Sequence, residues 1–191
     1  MSFGTLGWIE FFDRSSGDES EFVWRAVVDV TSLLPQNDST SCSCLFGIRN
    51  YSGWKPVVET RGLPADASEV VRCQATDENY FFYSATWLTW SDILAIPWQE
   101  SVVDHFVHRY RQNAEGELIR IGGFVPNDRD RYQEADVWTD SDDCGICICK
   151  VERITRREAA WAAFSRAFAL MRFFARIHGN DGVRLVIWFG E

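Results

Sequence analysis

Two arginines stand in a turn-rich segment, Arg49 to Ser68, among polar and aromatic residues. Arginine can bind carboxylate and phosphate groups through two parallel hydrogen bonds, and its guanidinium group stacks on aromatic rings. This combination of residues could hold an anionic or planar group beside a tryptophan. The candidate ligand-binding residues are Arg49, Asn50, Trp54, Arg61, Asp66 and Trp87.

The same segment also has a structural interpretation. Residues 50–53 are typical of a turn, Gly62 permits unusual backbone angles, and Asp66 and Ser68 can start a turn or cap a helix. An arginine in such a loop can hold it closed by bonding to carbonyl or carboxylate groups. If Arg61 belongs to a binding site, a folded Arg61→Ala variant should lose binding. If Arg61 is a clasp, that variant should only melt at a lower temperature.

Five cysteines form two groups that could bind zinc, because four thiolates suffice for a tetrahedral site. These cysteines are Cys42, Cys44, Cys144, Cys147 and Cys149. Their spacings, C-x-C and C-x2-C-x-C, differ from the paired C-x2-C units of zinc-binding domains. On a strand, Cys147 and Cys149 would share one face, which also suits burial as small apolar residues. We therefore expect no cofactor and keep zinc at these cysteines as the alternative.

Other catalytic signals are weak. His105 and His108 would point to opposite faces of a strand, and we find no serine, cysteine or carboxylate arranged with them as a triad. The acidic segment 127–143 lacks the ligand spacing of a calcium-binding loop. No phosphate-binding glycine loop or H-E-x-x-H sequence occurs. We therefore predict no catalytic residue and lean towards a protein that is not an enzyme.

The composition argues against some classes of binding partner. The chain has 191 residues, a formal net charge of −9 and 15% aromatic residues, nine of them tryptophan. Such an acidic protein is disfavoured as a binder of duplex nucleic acid, which needs many cationic side chains. Lys55 and Lys150 are the only lysines, so any anion site must be built locally from arginine. Without a signal sequence or a long apolar run, we expect no membrane contact and a cytoplasmic location in a bacterial host.

The hydrophobic pattern predicts one α+β domain over residues 1–191. The predicted strands are 5–13, 21–30, 80–84, 102–111, 117–125, 144–154 and 183–189, and residues 32–43 and 127–143 are predicted to be loops. Thr89 and Asp92 should cap a short helix, and Thr155 and Glu158 a long one over 156–178 that ends at Gly179. We expect a mostly antiparallel sheet with this long helix packed on it. The apolar C-terminal strand should lie at its centre, covered on both faces.

Four segments of the chain resemble a group of small uncharacterised bacteriophage and bacterial proteins. They are G-W-I-E-F-F-D at 7–13, R-G-L-P-A-D-A-S at 61–68, W-L-T-W-S-D-I-L at 87–94 and V-R-L-V-I-W-F at 183–189. The segments W-R-A-V-V-D-V at 24–30 and L-F-G-I-R-N at 45–50 also resemble that group, and all of them stand in the same order as in the group. The resemblance implies an α+β fold and a phage or mobile-element setting, but it brings no established activity.

The chain departs from that group at two places. Where the group has D-I-H-G, this chain has Gly4-Thr-Leu-Gly7. Where the group has histidine and serine before W-L-T, it has Tyr83-Ser-Ala-Thr86. Any site that those histidines form in the group is therefore missing here.

Three functional hypotheses follow. The first is a non-enzymatic binding protein of the phage or mobile-element type, used in counter-defence to sequester a small nucleotide-like immune signal. The second is an acidic inhibitor or immunity-type protein that masks a basic host protein or toxin. The third is a metal-dependent hydrolase or nuclease that uses scattered carboxylates and His105 or His108. Self-association into a homo-oligomer is compatible with each.

Overall fold

The computed structural model describes residues 3–14, 23–77, 81–127, 132–142 and 145–190. Two antiparallel four-stranded sheets, in the orders β2-β1-β8-β3 and β5-β4-β7-β6, form its framework. The strands are β1 (Gly4–Asp13), β2 (Val23–Asp29), β3 (Phe82–Thr89), β4 (Ser101–Gln112), β5 (Leu118–Phe124), β6 (Val137–Asp142), β7 (Gly145–Thr155) and β8 (Val183–Gly190). The helices are α1 (Ser39–Phe46), α2 (Glu69–Ala75), α3 (Trp90–Leu94) and α4 (Ala162–His178). The predicted α+β class is confirmed, and the strands divide into two sheets.

The C-terminal strand β8 is the centre of the first sheet, as predicted. It pairs with β1 on one side and β3 on the other, and all eight of its residues are buried. Leu185, Ile187 and Phe189 face the main core, where α4 packs, while Val186 and Trp188 face a smaller core beside α2. The continuous apolar run therefore reflects burial on both faces of the sheet.

The long helix begins and ends at the predicted residues. Thr155 and Glu158 form the reciprocal capping bonds, and Gly179 ends the helix with a φ of 83°. The first turns, Arg157–Trp161, are a π-helical segment before the regular α4. Four of the five residues predicted to form an apolar stripe are buried: Phe164, Phe168, Met171 and Ala175. The fifth, Trp161, is 36% exposed.

Three local predictions are wrong, each for a physical reason. Part of the predicted loop 32–43 belongs to α1, because Asp38 accepts a hydrogen bond from the Ser41 amide and starts a helix of small residues. The predicted acidic loop contains β6, which pairs with β7 over six residues. Strand β3 continues to Thr89, beyond the predicted end at Ser84, and the predicted Thr89–Asp92 capping box follows directly. None of the described helices is both long and apolar enough to cross a membrane.

A buried ion network fixes the loop 59–68 onto the first sheet. The guanidinium group of Arg184 donates to Glu10 Oε2 at 2.8 Å and to Asp66 Oδ1 at 2.7 Å. Arg184 and Glu10 have side-chain exposures of 2% and 0%. The other oxygen of Glu10 accepts a hydrogen bond from the Ser68 amide, where α2 begins. Two β-strands and a loop therefore depend on one arginine.

The substitution Arg184→Met should destabilise the protein by about 3–5 kcal/mol, because it leaves the Glu10 carboxylate buried without a counter-charge. Urea denaturation at neutral pH measures this loss. Arg25→Ala is the matched control, because Arg25 pairs with Asp13 with 58% of its side chain exposed, and such pairs contribute about 0–1 kcal/mol. Equal losses for the two variants would contradict a structural role for the buried network.

Candidate functional site

The predicted loop residues lie at two separate places. Asn50 and Trp54 bond to each other, since Asn50 Nδ2 donates to the Trp54 carbonyl and the Trp54 amide donates to Asn50 Oδ1. Trp54 is buried, and the guanidinium group of Arg156 lies 4.8 Å from the centre of its ring. Arg49 has a positive φ of 51° and lies over the ring of Phe3. These contacts connect the loop to the main core.

Arg61, Asp66 and Trp87 lie against the opposite face of the first sheet. Arg61 lies over the Trp87 ring at 4.7 Å, and its Nη1 is 3.3 Å from both the Trp87 carbonyl and Asp92 Oδ2. Trp87 packs with the smaller core, whereas Phe3, which Arg49 contacts, belongs to the main core. The two arginines predicted to hold one ligand are therefore on different faces.

A large surface cavity adjoins the loop. It has a volume of about 680 Å³ and lies between β2 and α2, with Asp66 in its lining. Trp24 and Arg25 line its other side. Arg184, which Asp66 binds, stacks 3.8 Å from the Trp24 ring. Arg184 is therefore already paired with carboxylates of the same chain, and the arginines in the described lining of this cavity are Arg25 and Arg72.

The second cavity is a groove of about 720 Å³ between α3 and the long helix. We call it the α3–α4 groove. Trp98 forms its floor together with the buried residues Ile93 and Phe168. The Trp98 and Trp161 rings meet edge to face, with centroids 5.2 Å apart. Its lining consists of Trp90, Ile93, Leu94, Trp98, Arg157, Trp161, Ser165, Phe168, Ala169, Arg172, Phe173 and Arg176.

The charge of the α3–α4 groove is opposite to that of the whole chain. Arg157, Arg172 and Arg176 line it, and its described lining contains no carboxylate. The Arg157 guanidinium group lies 5.1 Å from the centre of the Trp161 ring. Arg172 and Arg176 are exposed, one helical turn apart, and neither forms an ion pair with a described residue. The groove thus offers aromatic surfaces and unneutralised guanidinium groups together.

Sequence reasoning missed this groove because it assigned the helix face to the core alone. Trp161, Ser165, Phe168 and Arg172 follow spacings of four, three and four residues, which place them on one face of a helix. That mixture of tryptophan and arginine on one face was the available signal. The partner surface, Trp90 to Trp98, could not be assigned to this face from local spacing.

The prediction that His105 and His108 point to opposite faces of a strand is wrong, because both contact the Asp104 carboxylate. Val103 of β4 pairs with Arg153 of β7, and Val107 pairs with Val151, so β4 advances by four residues where β7 advances by two. This bulge disrupts the alternation of side chains along β4. His108 Nε2 lies 3.0 Å from Asp104 Oδ2, and His105 Nδ1 lies 3.3 Å from Asp104 Oδ1. The three side chains are almost entirely buried.

A serine also belongs to this cluster, but the arrangement is not a catalytic triad. Ser52 Oγ lies 2.7 Å from His105 Nδ1, the same nitrogen that faces Asp104. A triad needs the nucleophile and the carboxylate on opposite ring nitrogens. His105 Nε2 is buried and has no hydrogen-bond partner among the described residues. The contacts therefore support a structural link between the loop 47–58 and β4.

The cysteines occupy two different cores. Cys42 and Cys44 are buried in the main core, where desolvation raises the pKa of each thiol to about 12. Cys147 and Cys149 lie in the core of the second sheet, on one face of β7 as predicted. The fifth candidate zinc ligand, Cys144, lies outside the described residues. Among the described cysteines, the two groups do not form one joint site.

No protein-family model matches the chain, and neither a curated protein nor a solved structure matches it.

Asp104→Asn should reduce stability at neutral pH but have a diminishing effect in acid. Burial alone would raise the pKa of Asp104, but hydrogen bonds from His105 and His108 outweigh it and lower this pKa below its usual value. The carboxylate therefore contributes stability above its unfolded pKa of about 3.9, and this contribution is lost as the pH falls towards the folded pKa. Urea denaturation at several pH values between about 7 and 3 measures the difference in the free energy of unfolding between the variant and the wild type.

The control for this measurement is Glu115→Gln, at an exposed carboxylate in the β4–β5 turn. Its stability should follow the wild type at every pH. If the Asp104→Asn difference stays constant or widens in acid, the histidine contacts do not stabilise the ionised carboxylate.

Proposed function

We propose that this chain is a non-enzymatic binding protein that holds a nucleotide-like ligand in the α3–α4 groove. The observation that carries this proposal is the presence of three arginines and three tryptophans around one groove without a described carboxylate. A phosphorylated base needs both features, because arginine binds the phosphate and the aromatic ring stacks on the base.

The dimensions of the groove support a small-molecule ligand. Its volume of about 720 Å³ lies within the range of about 300–1,000 Å³ typical of such sites. Arg157 and Trp161 both belong to the π-helical segment, and such segments occur frequently at functional sites. The acidic remainder of the chain repels phosphates, so the local cluster of arginines would fix where the anion binds.

The proposed biological role is the sequestration of a nucleotide-like immune signal by a phage or mobile element. The motif resemblance suggests the setting, and the groove supplies the chemistry. A sequestering protein needs only to bind its ligand, so it requires no nucleophile or general base beside the groove. Ser165 is the one hydroxyl-bearing residue in the described lining, and its Oγ donates to the Ala162 carbonyl.

The double variant Arg172→Ala/Arg176→Ala tests the location of the site. Isothermal titration with nucleoside phosphates and cyclic dinucleotides should show a ligand whose affinity falls at least about tenfold, because hydrogen bonds to charged groups contribute about 1.5–3 kcal/mol each. Arg166→Ala is the control, since Arg166 is exposed on the same helix but does not line the groove. If no probe binds the wild type, or both variants lose affinity equally, the groove is not the site.

Arg61→Ala separates the groove from the loop 49–68 as the binding site. If the groove holds the ligand, this variant should lose only about 1 kcal/mol of stability, the sum expected for a partly exposed ion pair and a cation–π contact. Its ligand affinity should equal that of the wild type in the same titration. Loss of binding in a folded Arg61→Ala protein would instead place the site at the loop.

A further inference from the structure

Two thiols and a carboxylate converge on one face of the second sheet. Asp140 on β6 lies directly opposite Cys147 on β7, and Cys149 is two residues further along the same face. The carboxylate oxygen and the two sulfur atoms all lie within 4.8 Å of one another. The sulfur atoms are buried, whereas Asp140 is exposed. We call these three residues the β6–β7 cluster.

The donor set and its spacing suit a zinc ion. Zinc binds cysteine sulfur at about 2.3 Å and carboxylate oxygen at about 2.0–2.2 Å, in tetrahedral geometry. Two sulfur ligands of such an ion lie about 3.8 Å apart, a separation that follows from the bond length and the tetrahedral angle. Only small side-chain rotations are therefore needed to bring the three donors of the β6–β7 cluster around one ion. Magnesium and calcium prefer oxygen ligands, so the two thiolates favour zinc.

An arginine completes the charge balance of the cluster. Arg109 on the neighbouring strand β4 donates to Cys147 Sγ from Nε at 3.3 Å and from Nη2 at 3.1 Å. Two thiolates and one carboxylate around a divalent ion leave a net charge of −1, which the guanidinium group of Arg109 neutralises. Hydrogen bonds from surrounding groups to metal ligands also orient those ligands and tune their affinity for the metal.

We propose that Asp140, Cys147 and Cys149 bind one zinc ion, with solvent at the fourth position on the side of the exposed Asp140. The ion links the edge strand β6 to β7 and so stabilises the border of the second sheet. On binding, the two thiols each lose a proton to solvent as their sulfur atoms bond to zinc. The zinc site is independent of the α3–α4 groove, because the site lies on the second sheet and shares no residue with the groove.

Zinc titration of the metal-free protein, with a chromogenic chelator as competitor, tests the site. The wild type should bind one zinc ion per chain, and cobalt in its place should give the visible absorption of a tetrahedral thiolate complex. Asp140→Ala should weaken zinc binding by at least about tenfold, comparable to the loss of a metal-supporting group. Because Asp140 is exposed, this variant removes a ligand without opening a cavity.

Cys147→Ser should weaken the thiolate-to-cobalt absorption, because only Cys149 then supplies a sulfur ligand, and Cys73→Ser is the matched control at an exposed cysteine outside the cluster. The control should bind zinc as the wild type does. The proposal is overturned if the folded wild type binds no zinc against the chelator, or if Asp140→Ala and Cys73→Ser bind zinc equally well. Since neither variant touches the groove, nucleotide titration of the same proteins reports on the proposed function separately.

Discussion

The ion network around Arg184 connects the central strand of the first sheet to its neighbouring strand and to the loop that covers it. Arg184 lies on the central strand, and its partners Glu10 and Asp66 come from the first strand and from the loop 59–68. The charges of Arg184 and Glu10 are buried, which is tolerable only because they pair with each other, while Asp66 binds Arg184 from the exposed side with 65% of its side chain exposed. The loop and α2 therefore cover one face of the sheet, which leaves the other face for the long helix. The position of that helix in turn creates the α3–α4 groove.

The same network connects four sequence segments of this chain. Glu10 belongs to G-W-I-E, Asp66 to R-G-L-P-x-D-x-S and Arg184 to the final V-R-L-V, while Arg61 contacts Trp87 and Asp92 of the fourth segment. The arginines of these segments therefore pair with carboxylates of the same segments. The arginines of the α3–α4 groove, in contrast, face aromatic rings and solvent. That contrast is why we propose the groove and not the loop as the binding site.

Much of the fold could be predicted from the sequence because its signals are local. The apolar run at 183–189 predicted a central strand, and Thr155 with Glu158 predicted the start of the long helix, since each pattern lies within a few residues. The rest depends on contacts distant in the chain. The bulge in β4 unites Asp104 with His105 and His108, and only the pairing with β7 reveals it. The groove joins Trp98 to Trp161 in the same way. No local pattern indicates these pairings.

The most direct test of the central claim follows the indole N–H signals of the tryptophans by NMR during titration with a bound nucleotide. Substitution of each tryptophan by phenylalanine assigns the signals. Binding in the α3–α4 groove should shift the signals of Trp90, Trp98 and Trp161 and leave those of Trp54 and Trp87 in place. If the signals of Trp54 or Trp87 shift and those of the three groove tryptophans do not, the ligand binds at the loop and the account is contradicted.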